Sequence, residues 1–143
     1  MLKGLDPLLG PELLAALRAM GHGDEIVIAD ANFPAASIAR RLIRLDGADA
    51  VRVCRAILSV LPLDEHVPDA AFRMAMTGAP EDVPPVCRAF EAALKAEGYD
   101  RPLEPIERMA FYERARSAYA VVATGETRLW ANLILKKGAQ APG

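Results

Sequence analysis

Apolar residues along the chain keep two spacings. Behind Gly10-Pro11, Leu13, Leu17 and Met20 recur with helical period; proline suits the first helical turn and Gly21 stops the segment. "EIVIAD", from Glu25 to Asp30, is β-branched and too short for a helix, so it predicts a buried strand. Pro34 breaks that run. A strand is expected around Leu42 to Leu45, closed by Asp46-Gly47, and then a helix from about Asp49 to Val60 with Cys54, Ile57, Leu58 and Leu61 on one face. "FRMAMTG" predicts a strand ending at Gly78. Val86, Phe90, Ala93 and Leu94 form the apolar stripe of another helix that Gly98 ends. "PIERMAFYERARSA" predicts a short helix. Tyr119 to Gly125 and "NLILKKG" predict two further strands, with "GETR" as the turn between them. Strands alternating with helices point to an α/β sandwich on one sheet, with no internal repeat, linker or boundary within residues 1–143.

Composition narrows the function. The 143 residues are 52% apolar and 25% charged with a formal net charge of -2, as in an ordinary soluble globular protein. The basic stripe of a nucleic-acid binder is missing; Arg40, Arg41 and Arg44 are too few to supply it. No stretch approaches 18 consecutive apolar residues, so no membrane role is expected. The N-terminal "MLKGLDPLLGPELL" is a poor signal peptide, which makes the cytoplasm the expected location. Cys54 and Cys87 lack CxxC spacing and fall inside helical patterns, where free cysteine acts as a small hydrophobe.

Chemistry-bearing side chains gather where strands meet loops. His22 stands between two glycines just past a helix end. It can give or take a proton near neutral pH, or it can cap the helix. Asp30 ends a strand, placed either to bind hydroxyls or to tie down the next loop. Asp24 and Glu25 read as solvated turn residues. Arg114 and Arg116 read as a solvated helical face, and His66 as part of an exposed acidic loop. Trp130, the single tryptophan, lies beside Asn132. An aromatic face next to an amide suits a sugar, and a core or interface tryptophan is equally common. HExxH, GxSxG, the GxxxxGK[ST] loop and a GxGxxG after a strand are all missing, and no metal site is expected.

"MGHGDEIVIADANFPA" and "RMAFYERARSAYAVVATGE…WANLILKKG", with "PLLGPELLAALRAMGHGDE" at the start, resemble the RbsD/FucU family of L-fucose mutarotases and D-ribose pyranases. "GHGDE", "NFPA" and "FYERA" are similar to the fucose branch. The resemblance implies a three-layer α/β/α sandwich around a single mixed, mostly parallel sheet. It implies a cofactor-free isomerase that interconverts the anomers of a monosaccharide. His22 matches the family's proton donor, and Asp30, Arg108, Trp130, Ala131 and Asn132 match its sugar-binding positions. Asp30 is also expected to help orient His22, Arg108 to offset charge at the anomeric oxygen, and Asn132 to read a hydroxyl. Trp130 departs from the family's tyrosine, and an indole N–H donates but cannot accept a hydrogen bond or act as an acid. A homo-oligomer, often a decameric ring with sites near subunit boundaries, is implied too. The C-terminal strand and Trp130 are the candidates for intersubunit contact. D-ribose pyranase activity and a non-catalytic sugar-binding role on the same fold are the alternatives.

Overall fold

The computed structural model, which describes residues 1–143, resolves the strand patterns into β1 (Glu25–Ala29), β2 (Leu42–Leu45), β3 (Ala71–Met74), β4 (Glu104–Ile106), β5 (Ala120–Thr124) and β6 (Leu133–Lys136). They form one sheet in the order β2-β5-β1-β6-β3-β4. Three neighbouring pairs are parallel (β2/β5, β5/β1 and β3/β4), and β6 runs antiparallel between β1 and β3.

The helices are α1 (Pro11–Ala19), α2 (Ala35–Ile38), α3 (Ala50–Leu58), α4 (Pro85–Ala96) and α5 (Arg108–Ser117). Strand side chains alternate between faces. Ile26, Ile28, Val122, Leu133 and Leu135 join the larger core with Leu13, Ile57 and Phe90 from α1, α3 and α4. Val27, Ala29, Val121 and Ile134 point the other way and pack with Ile38 and Phe111 from α2 and α5. Both faces are therefore covered, which is why the central strands are apolar throughout. The α/β/α sandwich on a mixed, mostly parallel sheet is what the structure shows. The Asp49 side chain caps α3 by accepting from the Arg52 N–H at 2.8 Å. Cys54 and Cys87 are buried free thiols whose pKa values burial pushes up to about 12 and about 11, so neither is a thiolate at neutral pH. No helix is long and apolar enough to cross a membrane.

Four readings are corrected. Glu104–Ile106 is a strand rather than the start of a helix. It pairs with β3 at the sheet's edge, where Pro105 can lack an N–H because one side of the ladder is unpaired. β3 ends at Met74 instead of Gly78, whose φ of +79° belongs to a turn. The short helix α2 follows Pro34, where no element was expected. The C-terminal strand is not an intersubunit candidate: β6 lies inside the sheet with both edges paired and Leu133, Ile134 and Leu135 fully buried.

At Gly125 the β5 end passes so close to the turn after β2 that a Cβ would sit 2.0 Å from the Asp46 carbonyl oxygen. That oxygen is a backbone atom in a hydrogen-bonded turn, with the Gly125 N–H donating to the Ala48 carbonyl at 2.9 Å. Gly125→Ala should destabilise the fold by about 2 kcal/mol or more. Gly47→Ala, whose Cβ would meet nothing within 4 Å, should stay within about 0.5 kcal/mol. Urea unfolding midpoints of the two variants check the contrast.

Candidate functional site

The candidate side chains collect at the two opposite ends of β1. At its entry, Gly21–Asp24 makes a closed turn. The Asp24 carboxylate accepts the Gly21 N–H at 2.7 Å, the Asp24 N–H donates to the Gly21 carbonyl at 3.1 Å, and Gly23 takes φ +91°. Glycine adopts that conformation without a Cβ penalty. The turn projects the His22 ring, 46% exposed, onto Asp64, whose side chain is only 5% exposed; Nε2 lies 3.1 Å from Oδ1.

Asp64 is held below the usual carboxylate range, first by the His66 backbone N–H (3.0 Å) and then by His22 itself. An ionised carboxylate can only accept, so His22 carries its proton on Nε2 and leaves Nδ1 free. The His66 ring packs 5.9 Å from that of His22. A cleft of about 520 Å³, lined by Leu14, Arg18, His22, Val60 and Lys137 among others, opens beside the pair. A larger hollow of about 760 Å³, beyond the ends of α3 and α4, includes none of the expected site residues.

At the exit of β1, Asp30 is 5% exposed. Burial raises its pKa, opposed by hydrogen bonds from the Asn32 N–H (2.9 Å) and the Asn132 amide (3.1 Å). Asn132 also accepts the Asp30 N–H at 2.8 Å, so the two residues clasp each other between β1 and β6. Asp30 thus does tie down the loop after it. Phe33 in that loop meets the Tyr112 ring edge-on at 5.4 Å, and the Arg108 guanidinium lies 5.5 Å from the same ring's centroid. Trp130 packs on this face, half-buried, and its φ of +65° is the one positive value outside glycine. Such strain persists only where the surroundings enforce it. The Cys87 thiol donates to its carbonyl at 3.7 Å, and Ala131 behind it is fully buried. Another cleft, of about 530 Å³, borders Asp30 and Phe33.

Asp30, Arg108, Trp130, Ala131 and Asn132 are therefore brought to one end, and His22 is not among them. The five residues of β1 alone span roughly 16 Å. Asp30 does not orient His22; Asp64 does. The sequence reading missed Asp64 because nothing in "PLDEHVPDA" shows which acid turns inward. His66 is exposed as expected, but the Asp-x-His spacing, which lets the carboxylate accept the His66 N–H, was the available signal.

Glu25 and Arg114 are corrected as well. Instead of facing water separately, they form a two-point ion pair at 2.9 and 2.6 Å, with the Arg114 guanidinium 3.8 Å over Phe72. A planar guanidinium can make both contacts at once, which ties α5 to β1 and β3. Arg116 does stay on the outer face, paired with Glu113.

Comparison with known proteins gives one answer along the chain. Residues 3–140 match the RbsD / FucU transport protein family. A fucose mutarotase from Bos taurus is 50% identical over 99% of this chain and 96% of its own length. The crystal structure of the fucose mutarotase in complex with L-fucose from Streptococcus pneumoniae superposes with a TM-score of 0.92 at 42% identity, covering 98% of this chain and 100% of that one. Bacillus subtilis RbsD complexed with D-ribose shares the fold, with a TM-score of 0.75 at 22% identity over 99% of this chain and 100% of that one. The protein described by these two clusters is a member of the RbsD / FucU transport protein family.

Proposed function

We propose that the protein is an L-fucose mutarotase, an isomerase that exchanges the α and β anomers of the free sugar. The observation that carries the chemistry is the His22–Asp64 pair: a half-exposed imidazole with one nitrogen tied to a buried carboxylate and the other free to exchange a proton. The choice of L-fucose rests on the fucose mutarotases among the relatives and on the fucose-bound neighbour.

Mutarotation breaks the bond between C1 and the ring oxygen and re-forms it on the other face of C1. Opening requires a proton on the ring oxygen and loss of the proton from the anomeric hydroxyl; closure reverses both. In its imidazolium form, with Nε2–H on the Asp64 carboxylate, His22 delivers the first proton from Nδ1 and is left as the neutral Nε2–H tautomer, which takes the proton back on closure. A carboxylate held charged at neutral pH is suited to stabilising that imidazolium. Asp30, made more basic by burial, accepts from the sugar hydroxyls and takes the anomeric proton. Arg108 offsets the charge that develops on the anomeric oxygen. Asn132 is largely engaged with Asp30, so it orients that carboxylate more than it reads a hydroxyl. Trp130 offers its ring face to the C–H side of the pyranose and its N–H as a donor.

A monosaccharide cannot bridge the length of β1. The complete site therefore takes His22 and Asp64 from one copy of the chain and the Asp30 cluster from a neighbouring copy, within a homo-oligomer. The exposed Met109 and Leu129, next to Arg108 and Trp130, fit that neighbour's approach.

Magnetisation-exchange NMR on L-fucose at anomeric equilibrium should show His22→Ala losing about 10²–10⁴-fold in exchange rate with an unchanged circular dichroism spectrum. Wild-type turnover by that variant would remove His22 from the mechanism. A second test addresses the shared site. His22→Ala and Asp30→Ala chains, each inactive alone, should regain about a quarter of wild-type activity when co-expressed in equal amounts, because random assembly leaves that share of sites intact. No recovery in a verified mixed oligomer would place both residues' functions within one chain.

A further inference from the structure

The turn that carries His22 is closed on itself by the Gly21–Asp24 hydrogen bonds, but two glycines flank the histidine and its ring is half exposed, so those bonds alone do not fix where the turn sits. Both ends of that turn are tied to one residue from the far end of the chain. On the entry side, the Lys137 ammonium donates to the carbonyls of Leu17 (2.7 Å) and Met20 (2.6 Å), two of the carbonyls that the end of α1 leaves without a helical partner. On the exit side, the Lys137 carbonyl accepts the Gly23 N–H at 2.8 Å and its N–H donates to the Asp24 carbonyl at 2.9 Å.

The other partner of the pair leans on the same segment. Leu63 is bridged to Lys137, the Asp64 N–H donates to the Lys136 carbonyl at 3.1 Å, and the Gly138 N–H donates to the Pro62 carbonyl at 2.8 Å. The two backbones approach so closely that a Cβ on Gly138 would lie 2.4 Å from the Leu63 oxygen. Lys136 has a carboxylate partner in Glu25, at 3.9 Å, whereas the Lys137 ammonium bonds only to the two carbonyls. Holding a lysine chain in one conformation costs side-chain entropy. The capping role that a histidine beyond a helix end can take is filled by this lysine instead, which leaves His22 free to face Asp64.

We infer that Lys137 is a positioning residue for the proton-transfer step: its ammonium anchors the entry to the His22 turn, and with its own backbone it holds His22 in register with Asp64. This rests on the mutarotase reading for its activity arm, and a spectroscopic arm stands apart from that reading. Without the ammonium, Leu17 and Met20 turn their carbonyls to water, and Gly21 and Gly23 let the imidazole drift. A drift of about 1 Å at a proton donor lowers the rate of the chemical step far more than it weakens binding.

The test compares wild type with Lys137→Met, Lys137→Gln and Lys137→Arg, using Lys95→Met as the control for losing a lysine near a helix end at an exposed site. Anomer-exchange NMR at several L-fucose concentrations should show Lys137→Met losing about 10- to 100-fold in kcat with KM within about twofold. Lys137→Arg, which can still donate to both carbonyls, should recover most of the rate, and Lys95→Met should match wild type. Long-range ¹H–¹⁵N spectra should show His22 as the Nε2–H tautomer in the wild type and as a tautomer mixture in Lys137→Met. If the methionine variant does not fold, kcat should still fall in the order wild type, Arg, Gln at constant KM. Unchanged kcat and tautomer in the folded variants would overturn the inference, as would losses that follow thermal stability alone with no rescue by arginine. A wild type that fails to speed anomer exchange but shows the tautomer change would sink the mutarotase reading and leave the positioning role standing.

Discussion

Strand β6 runs against both of its neighbours, and its register on β1 sets where the residues at its two ends meet Asp30 and the His22 turn. Glu25 stands opposite Lys136 and Ile28 opposite Leu133. A slip of one residue would turn Leu133 and Leu135 out of the larger core and Ile134 out of the smaller one, reversing three fully buried side chains. With that slip forbidden, the residues just outside the strand are placed as firmly as those within it. Asn132 meets Asp30 at one end, and Lys137 meets the His22 turn at the other. One short apolar strand thus serves as a ruler for two polar clusters that never touch.

The clusters treat their carboxylates in opposite ways. Asp64 receives a backbone N–H and an imidazole, which favour its charged form; Asp30 lies where burial outweighs the hydrogen bonds it accepts. Two acids of the same type, pushed apart in proton affinity, suit a reaction that moves protons in both directions at one pH. In the proposed reaction the charged one would stabilise the imidazolium beside it, and the more basic one would take a proton from a hydroxyl.

Much of this was legible in the chain. β-branched runs, proline and glycine punctuation and the 3.6-residue stripes located five of the six strands and four of the five helices, since each depends on local pattern. β4 escaped because "EPI" holds too few residues to show alternation, and α2 because four residues show no stripe. Among site residues, His22 and Asp30 stood out by chemistry beside glycine and strand ends. Asp64, Glu25 with Arg114, and Lys137 did not. Each is defined by a partner roughly 40 to 120 positions away, and such pairings leave no trace in local spacing. The same limit explains the misplaced link between His22 and Asp30. They are near in sequence, but the strand joining them is extended and holds them apart.

That separation has a consequence for assembly. If one copy held both halves of the proposed site, association would be incidental to catalysis; with the halves at opposite ends of β1, a lone chain would have the proposed proton donor without its sugar cradle and the cradle without a donor. Trp130 sharpens the point. Its left-handed backbone costs roughly 1–2 kcal/mol in a lone chain, and the buried Ala131 and the thiol of Cys87 hold it there. The fold keeps this strain at the rim of the Asp30 cluster, beside the exposed Leu129, where a neighbouring copy and the sugar would both make contact. An indole at this place can donate a hydrogen bond but cannot relay a proton, so in the proposed mechanism the acid–base work would fall to His22, Asp64 and Asp30, and packing one copy against the next would bridge the distance between those groups.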